Sequence, residues 1–158
     1  MKFEYILENA GWAVATLEEG EQKATMAVSY LHDTLEQLTN ATNRLLDGTA
    51  KNTSVIFMDE PGEHEMVLTN IGNGMLDIQV KWFNDWASWG MYAEDKFTIV
   101  CSATCPLLKF AKKVKLILEH IYITYGVKGY KEKWTAHEFP YEQYMNLLRL
   151  VKRAERLY

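Results

Sequence analysis

Apolar and polar residues alternate most clearly at Met75–Phe83, where Leu76, Ile78, Val80 and Trp82 fall on one side and Asp77, Gln79 and Lys81 on the other. Successive strand side chains point to opposite faces, so the run predicts a strand with one dry and one wet face. Asn73-Gly74 just before it marks a tight turn, because both residues accept positive φ. Glu63–Ile71 alternates less cleanly, with Met66 and Leu68 assigned to the core face. Pro61-Gly62 suits the centre of a type II turn, and Val55–Met58 completes a central three-stranded meander. A second meander is predicted at the N-terminus. Phe3, Tyr5 and Leu7 share one face of the first strand. Trp12, Val14 and Thr16 alternate with Ala13, Ala15 and Leu17 in the next. Glu18–Glu21 turns the chain, and Lys23–Ser29 returns as a third strand. Phe97–Cys101 reads as a seventh.

Three stretches carry helical periodicity instead. Leu31, Leu35, Leu38, Thr42 and Leu45 recur at spacings of three and four, one stripe of a helix over about Tyr30–Asp47. Ser29 is the expected N-cap and Gly48 the residue just past the end. A second helix is expected over Cys105–Tyr125, opened by Pro106 and closed by Gly126, with Val127–Glu138 irregular. A third begins at Pro140, its inner face formed by Tyr144, Leu147, Leu148, Val151 and Ala154. Strands and helices are segregated along the chain, which argues for an α+β fold: an antiparallel meandering sheet of about seven strands with three helices packed on it.

A length of 158 residues and a hydrophobic fraction of 48% fit one globular domain with its own core. No apolar run approaches the length of a membrane span. The N-terminus reads as a strand rather than a secretory leader, which makes cytoplasmic residence the expectation. Charge is distributed unevenly. Residues 1–101 carry 6 Lys and Arg against 16 Asp and Glu, whereas residues 102–158 carry 11 against 5. Of the basic residues of the second part, Lys109, Lys112, Lys113, Arg149, Lys152, Arg153 and Arg156 lie on predicted helices. A pI near 5.6 argues against nucleic-acid binding, and cations late in a helix also offset its dipole without any ligand.

No nucleophile elbow, phosphate loop, dinucleotide fingerprint or zinc-protease string occurs, so no catalytic residue, metal ligand or cofactor is assigned. His32, His64, His120 and His137 form no ligand string. An Asp59, Glu60 and His64 metal set is conceivable but has no convergence legible in sequence. Cys105, next to Pro106 at an expected helix start, could be a reactive thiol; the plainer reading is that it and Cys101 are reduced and half-buried. Two features stand out instead. Asp59, Glu60, Glu63 and Glu65 gather at one hairpin. Asp85, Trp86, Trp89 and Tyr92 concentrate aromatic and acidic groups in a connection where bulky aromatics are not needed for a core. That connection is either an interface patch or a lid folded over the sheet. Acidic and aromatic groups together suit a protein surface better than a nucleic acid.

The strings G-W-A-V-A-T at Gly11–Thr16, S-Y-L-H-D-T-L at Ser29–Leu35 and D-E-P-G-E at Asp59–Glu63 resemble those of small bacterial immunity proteins of polymorphic toxin systems. That resemblance implies a cytoplasmic, non-catalytic binder of a toxin domain. It carries over no binding residue. The expectation is therefore an interaction protein whose partner is a basic protein domain, met by Asp59, Glu60, Glu63, Glu65, Asp85, Trp86, Trp89 and Tyr92. The rival is a small enzyme or ligand-binding protein with a pocket between sheet and helices near His120 or Tyr122. A homodimer paired through a sheet edge is a third possibility.

Overall fold

The computed structural model describes residues 1–157. Its elements are β1 (Lys2–Leu7), β2 (Trp12–Glu19), β3 (Gln22–Ser29), α1 (Thr34–Leu46), β4 (Asn52–Met58), β5 (Glu63–Gly72), β6 (Met75–Phe83), β7 (Thr98–Pro106), α2 (Leu107–Trp134) and α3 (Tyr141–Glu155). All strand pairs are antiparallel and each meander is simple: β1-β2-β3 form one sheet and β4-β5-β6-β7 another. The fold is α+β, with the seven strands divided between two sheets. A hydrophobic core runs through both sheets and all three helices, from Phe3 to Val151.

The alternation chooses the buried faces. Phe3, Tyr5 and Leu7 on β1, Ala13, Ala15 and Leu17 on β2, and Ala24, Met26 and Val28 on β3 all point inward. Phe3 stacks on Phe110 of α2 at 5.7 Å between centroids. The two sheets meet where β7 passes the β2–β3 turn. There the Ser102 amide donates to the Gln22 side chain (2.8 Å), and the Cys101 thiol lies 3.8 Å from the Leu17 carbonyl oxygen. The outer edge of β4 is held in turn by α1. Ile56 donates its N–H to Gln37 and accepts from the Thr34 hydroxyl.

Three helix expectations are corrected. First, α1 begins at Thr34, capped by Asp33, whose carboxylate accepts from the Glu36 amide. Ser29 does not cap it, because Ser29 is the last residue of β3 and the helix begins only at Thr34; its hydroxyl donates to Glu60 (2.7 Å) and accepts from the Leu31 amide (3.3 Å). Second, Gly126 does interrupt the helix, but Val127–Glu138 is not irregular throughout, because a further helical segment follows the glycine within α2. The glycine's φ of 67° and ψ of 179° break the helix for one residue, and the chain then resumes helical geometry through Trp134. Burial of Tyr130 and Trp134, four residues apart on one face, stabilises the resumed segment. Contacts to the β1–β2 turn, Gly11 N–H to the Lys133 carbonyl and the Lys133 ammonium to Asn9, anchor it. Third, Cys105 belongs to the end of β7 and directly precedes Pro106, the N-cap of α2, rather than opening the helix itself. Burial raises the pKa of both thiols, so neither is an activated nucleophile. No helix among the described residues is long and apolar enough to cross a membrane.

Candidate protein-binding corner

The acidic hairpin and the aromatic connection, separate in sequence, fold into one corner of the four-stranded sheet. The β4–β5 turn closes through Asp59 N–H to the Gly62 carbonyl (2.9 Å). After β6, Asp85 caps a tight turn by accepting from the Trp86 amide (2.8 Å), and Ala87–Trp89 forms a short 3-10 helix ending at Gly90. Two contacts bind these segments together. The Trp86 indole N–H donates to the Asp59 carbonyl (2.8 Å). The Glu63 carboxylate receives both the amide and the hydroxyl of Ser88, each at 2.6 Å. Trp86 and Trp89 pack with centroids 5.0 Å apart, tilted by 60°.

The eight residues singled out from sequence therefore share a neighbourhood but not a role. Glu63 is only 1% exposed and its carboxylate is engaged by Ser88, so it braces the corner from within. Trp86 is half-buried and serves as a second brace. Glu60 is exposed and also accepts from Ser29, tying the hairpin to β3. Trp89 is 50% exposed. Tyr92 lines a shallow recess with Trp82, Asn84 and Asp95. Glu65 lies beside Lys81 (4.0 Å), whose ammonium sits 4.4 Å above the Phe97 ring. Between these groups is a polar cleft of about 280 Å³, lined by Glu63, Glu65, Lys81, Ser88 and Glu94 among others.

Met91, Glu94, Asp95 and Phe97 belong to the same exposed rim and escaped sequence reasoning, as did Ser88. Only the concentration of acidic and aromatic residues around them could have flagged them. Nothing in the sequence marks Ser88 as the partner of a carboxylate 25 positions earlier.

His64 takes no part in a metal set. Among the described residues no three His, Cys, Asp or Glu side chains are grouped so as to hold a metal ion. It stands in register between Phe57 and Trp82, its ring 4.6 Å from the Trp82 ring and its Nδ1 buried without a partner. Desolvation lowers its pKa from 6.5 to about 4. The unfolded chain thus takes up a proton below pH 6.5 that the folded chain refuses until about pH 4. Stability falls as pH drops through this window, by about 1.4 kcal/mol per unit and roughly 3 kcal/mol in all. Asp33, raised to about 6 chiefly by its own desolvation, acts in the opposite direction. Comparing His64→Leu with the parent isolates the histidine, since Asp33 is common to both. Urea titrations at pH 7 and 4.5 should show the parent losing stability relative to the variant; parallel pH profiles would contradict the assignment.

Compared with protein-family models, with curated proteins and with solved structures, the chain matches none.

Proposed function

We propose that the corner is a docking surface for a basic protein partner, and that the chain works by binding rather than catalysis, in the manner of an immunity protein that neutralises a toxin domain. The observation that carries this reading is an exposed tryptophan on a rigid, acidic mount. Trp89, with Met91 beside it in sequence, projects from a turn that Glu63 and Trp86 lock to the neighbouring hairpin. A preorganised aromatic anchor loses little freedom on binding, and tryptophan is enriched among residues that dominate interface energetics. Carboxylates at Asp59, Glu60, Asp85, Glu94 and Asp95 supply a field that steers a basic partner. The polar cleft beside Glu65 and Glu94 is of a size to receive one lysine or arginine side chain.

The rival reading of a pocket between sheet and helices has less behind it. His120 is exposed on an open groove, and Tyr122 is packed within an aromatic cluster with Phe139, Tyr141 and Tyr144.

Trp89→Ala is the discriminating variant, because Trp86→Ala would also remove a brace of the corner. With partner recovered by affinity capture from the source cells, Trp89→Ala should weaken binding by about 2 kcal/mol or more, roughly 30-fold, at unchanged thermal stability. Glu94→Lys with Asp95→Lys should slow association and flatten its salt dependence. Unchanged affinity in both variants would remove the corner from consideration.

A further inference from the structure

The first strand of the molecule is an open sheet edge. Glu8 N–H bonds to the Trp12 carbonyl (2.9 Å), in line with the β1–β2 register that pairs Leu7 with Ala13. In an antiparallel ladder, bonded and non-bonded positions alternate. Glu8, Ile6, Glu4 and Lys2 therefore direct their backbone groups at β2. Phe3, Tyr5 and Leu7 direct theirs outward, where they meet no backbone or side-chain partner among the described residues. The outer edges of β4 and β7, by contrast, are engaged by Gln37 and Gln22. Beside the open edge runs a groove of about 260 Å³, walled by Phe3, Tyr5 and Ile6 on one side and Lys113, Leu116 and His120 on the other. Large apolar side chains are exposed around it: Ile6 at 60%, Leu116 at 57% and, two turns further along α2, Ile123 at 76%.

We propose that this edge is a self-association site, in which β1 pairs antiparallel with β1 of a second copy across a twofold axis at Tyr5. The charge pattern selects both occupant and register. With Tyr5 opposite Tyr5 of the other copy, Phe3 faces Leu7, and every outward N–H and C=O of these residues acquires a partner. On the exposed face, Lys2 then stands opposite Glu8, and Glu4 opposite Ile6. Sliding the pairing by two residues one way sets Glu4 against Glu4; sliding it the other way sets Glu4 against Glu8. Both juxtapose like charges, which disfavours them. A twofold axis needs a self-complementary patch, and Lys2-to-Glu8 is self-complementary. The same axis brings the two α2 helices alongside the seam, where Leu116 from both copies loses its exposure to water. Charged residues usually protect an edge strand from pairing; here they admit only one pairing.

The test is the mass in solution, by light scattering after size exclusion. The parent should elute with the mass of two chains rather than the 18.3 kDa of one, and hydrogen exchange should show Phe3, Tyr5 and Leu7 amides protected. Glu8→Lys sets lysine against Lys2 and should give a monomer in which those amides exchange freely. Adding Lys2→Glu reverses both members of the pair and should restore the dimer. Leu116→Glu should give a monomer by a route independent of the strand charges, with circular dichroism confirming that each variant folds. A monomeric parent at the highest concentration reached, even one that binds an extended segment of another protein along β1, would overturn the proposal. So would a dimer indifferent to Glu8→Lys and Leu116→Glu. The outcome is independent of the corner, since Trp89→Ala leaves β1 unchanged.

Discussion

Trp134→Ala should lower the stability of the protein by about 3–5 kcal/mol, a large fraction of what a domain of this size possesses. The indole is fully buried and stacks with Tyr130, itself fully buried. Both residues lie beyond the break at Gly126, in the segment of α2 that reaches back to the β1–β2 turn. Removing the ring leaves a cavity that its neighbours fill only partly, and it withdraws the main reason for the helix to resume after the glycine. A fall in the melting temperature of roughly 10 °C or more is expected. Local exchange should also rise between residues 127 and 136, because that segment has little periodic apolar content apart from these two aromatics. Trp134→Phe should recover most of the loss. A change below about 1 kcal/mol would mean that the second part of α2 does not pack as described.

Gly62→Ala should destabilise by about 2–5 kcal/mol, from two additive sources. Gly62 has a φ of 92°, in the region that residues with a Cβ avoid. A Cβ there would also collide with the Trp82 ring and lie 2.9 Å from the Phe83 carbonyl oxygen, and overpacking of this kind typically costs about 1–3 kcal/mol. Gly20 supplies the control. It too has positive φ, at 59°, but a Cβ would meet nothing within 4 Å. Gly20→Ala should therefore lose about 1–2 kcal/mol from backbone strain alone. Equal effects at the two glycines in chemical denaturation would show that the contact with Trp82 is relieved easily. Because Gly62 shapes the acidic hairpin, its variant should also weaken partner binding, whereas Gly20→Ala should not.

The strands were legible because their signal is local. A period of two in Phe3, Tyr5 and Leu7, or in Leu76, Ile78 and Val80, decides at once that a strand forms and which face is buried. Asn73-Gly74 fixed its hairpin for the same reason. What failed depended on contacts distant in sequence. Gly126 interrupts the helix as its propensity suggests, and only the burial of Tyr130 and Trp134 explains why the chain turns helical again beyond it. Ser29 looks like an N-cap, but β3 runs through it and Asp33 takes that role. The division of seven strands into two sheets is likewise invisible in periodicity, since alternation is the same whichever sheet a strand joins. At the corner, composition identified the two segments, but not that they touch. Nor could it separate Glu63, buried against Ser88, from Glu60, exposed and tied to Ser29. His64 was closer to legible: the alternation that puts Met66 and Leu68 in the core also puts His64 there.

The most direct test of the docking corner is hydrogen exchange on the protein with and without its recovered partner. The expected result is new protection confined to residues 59–62 and 85–97, the two segments that Glu63 and Trp86 hold together, and its disappearance in Trp89→Ala. Protection elsewhere with these segments unchanged would contradict the assignment of the binding surface to this corner.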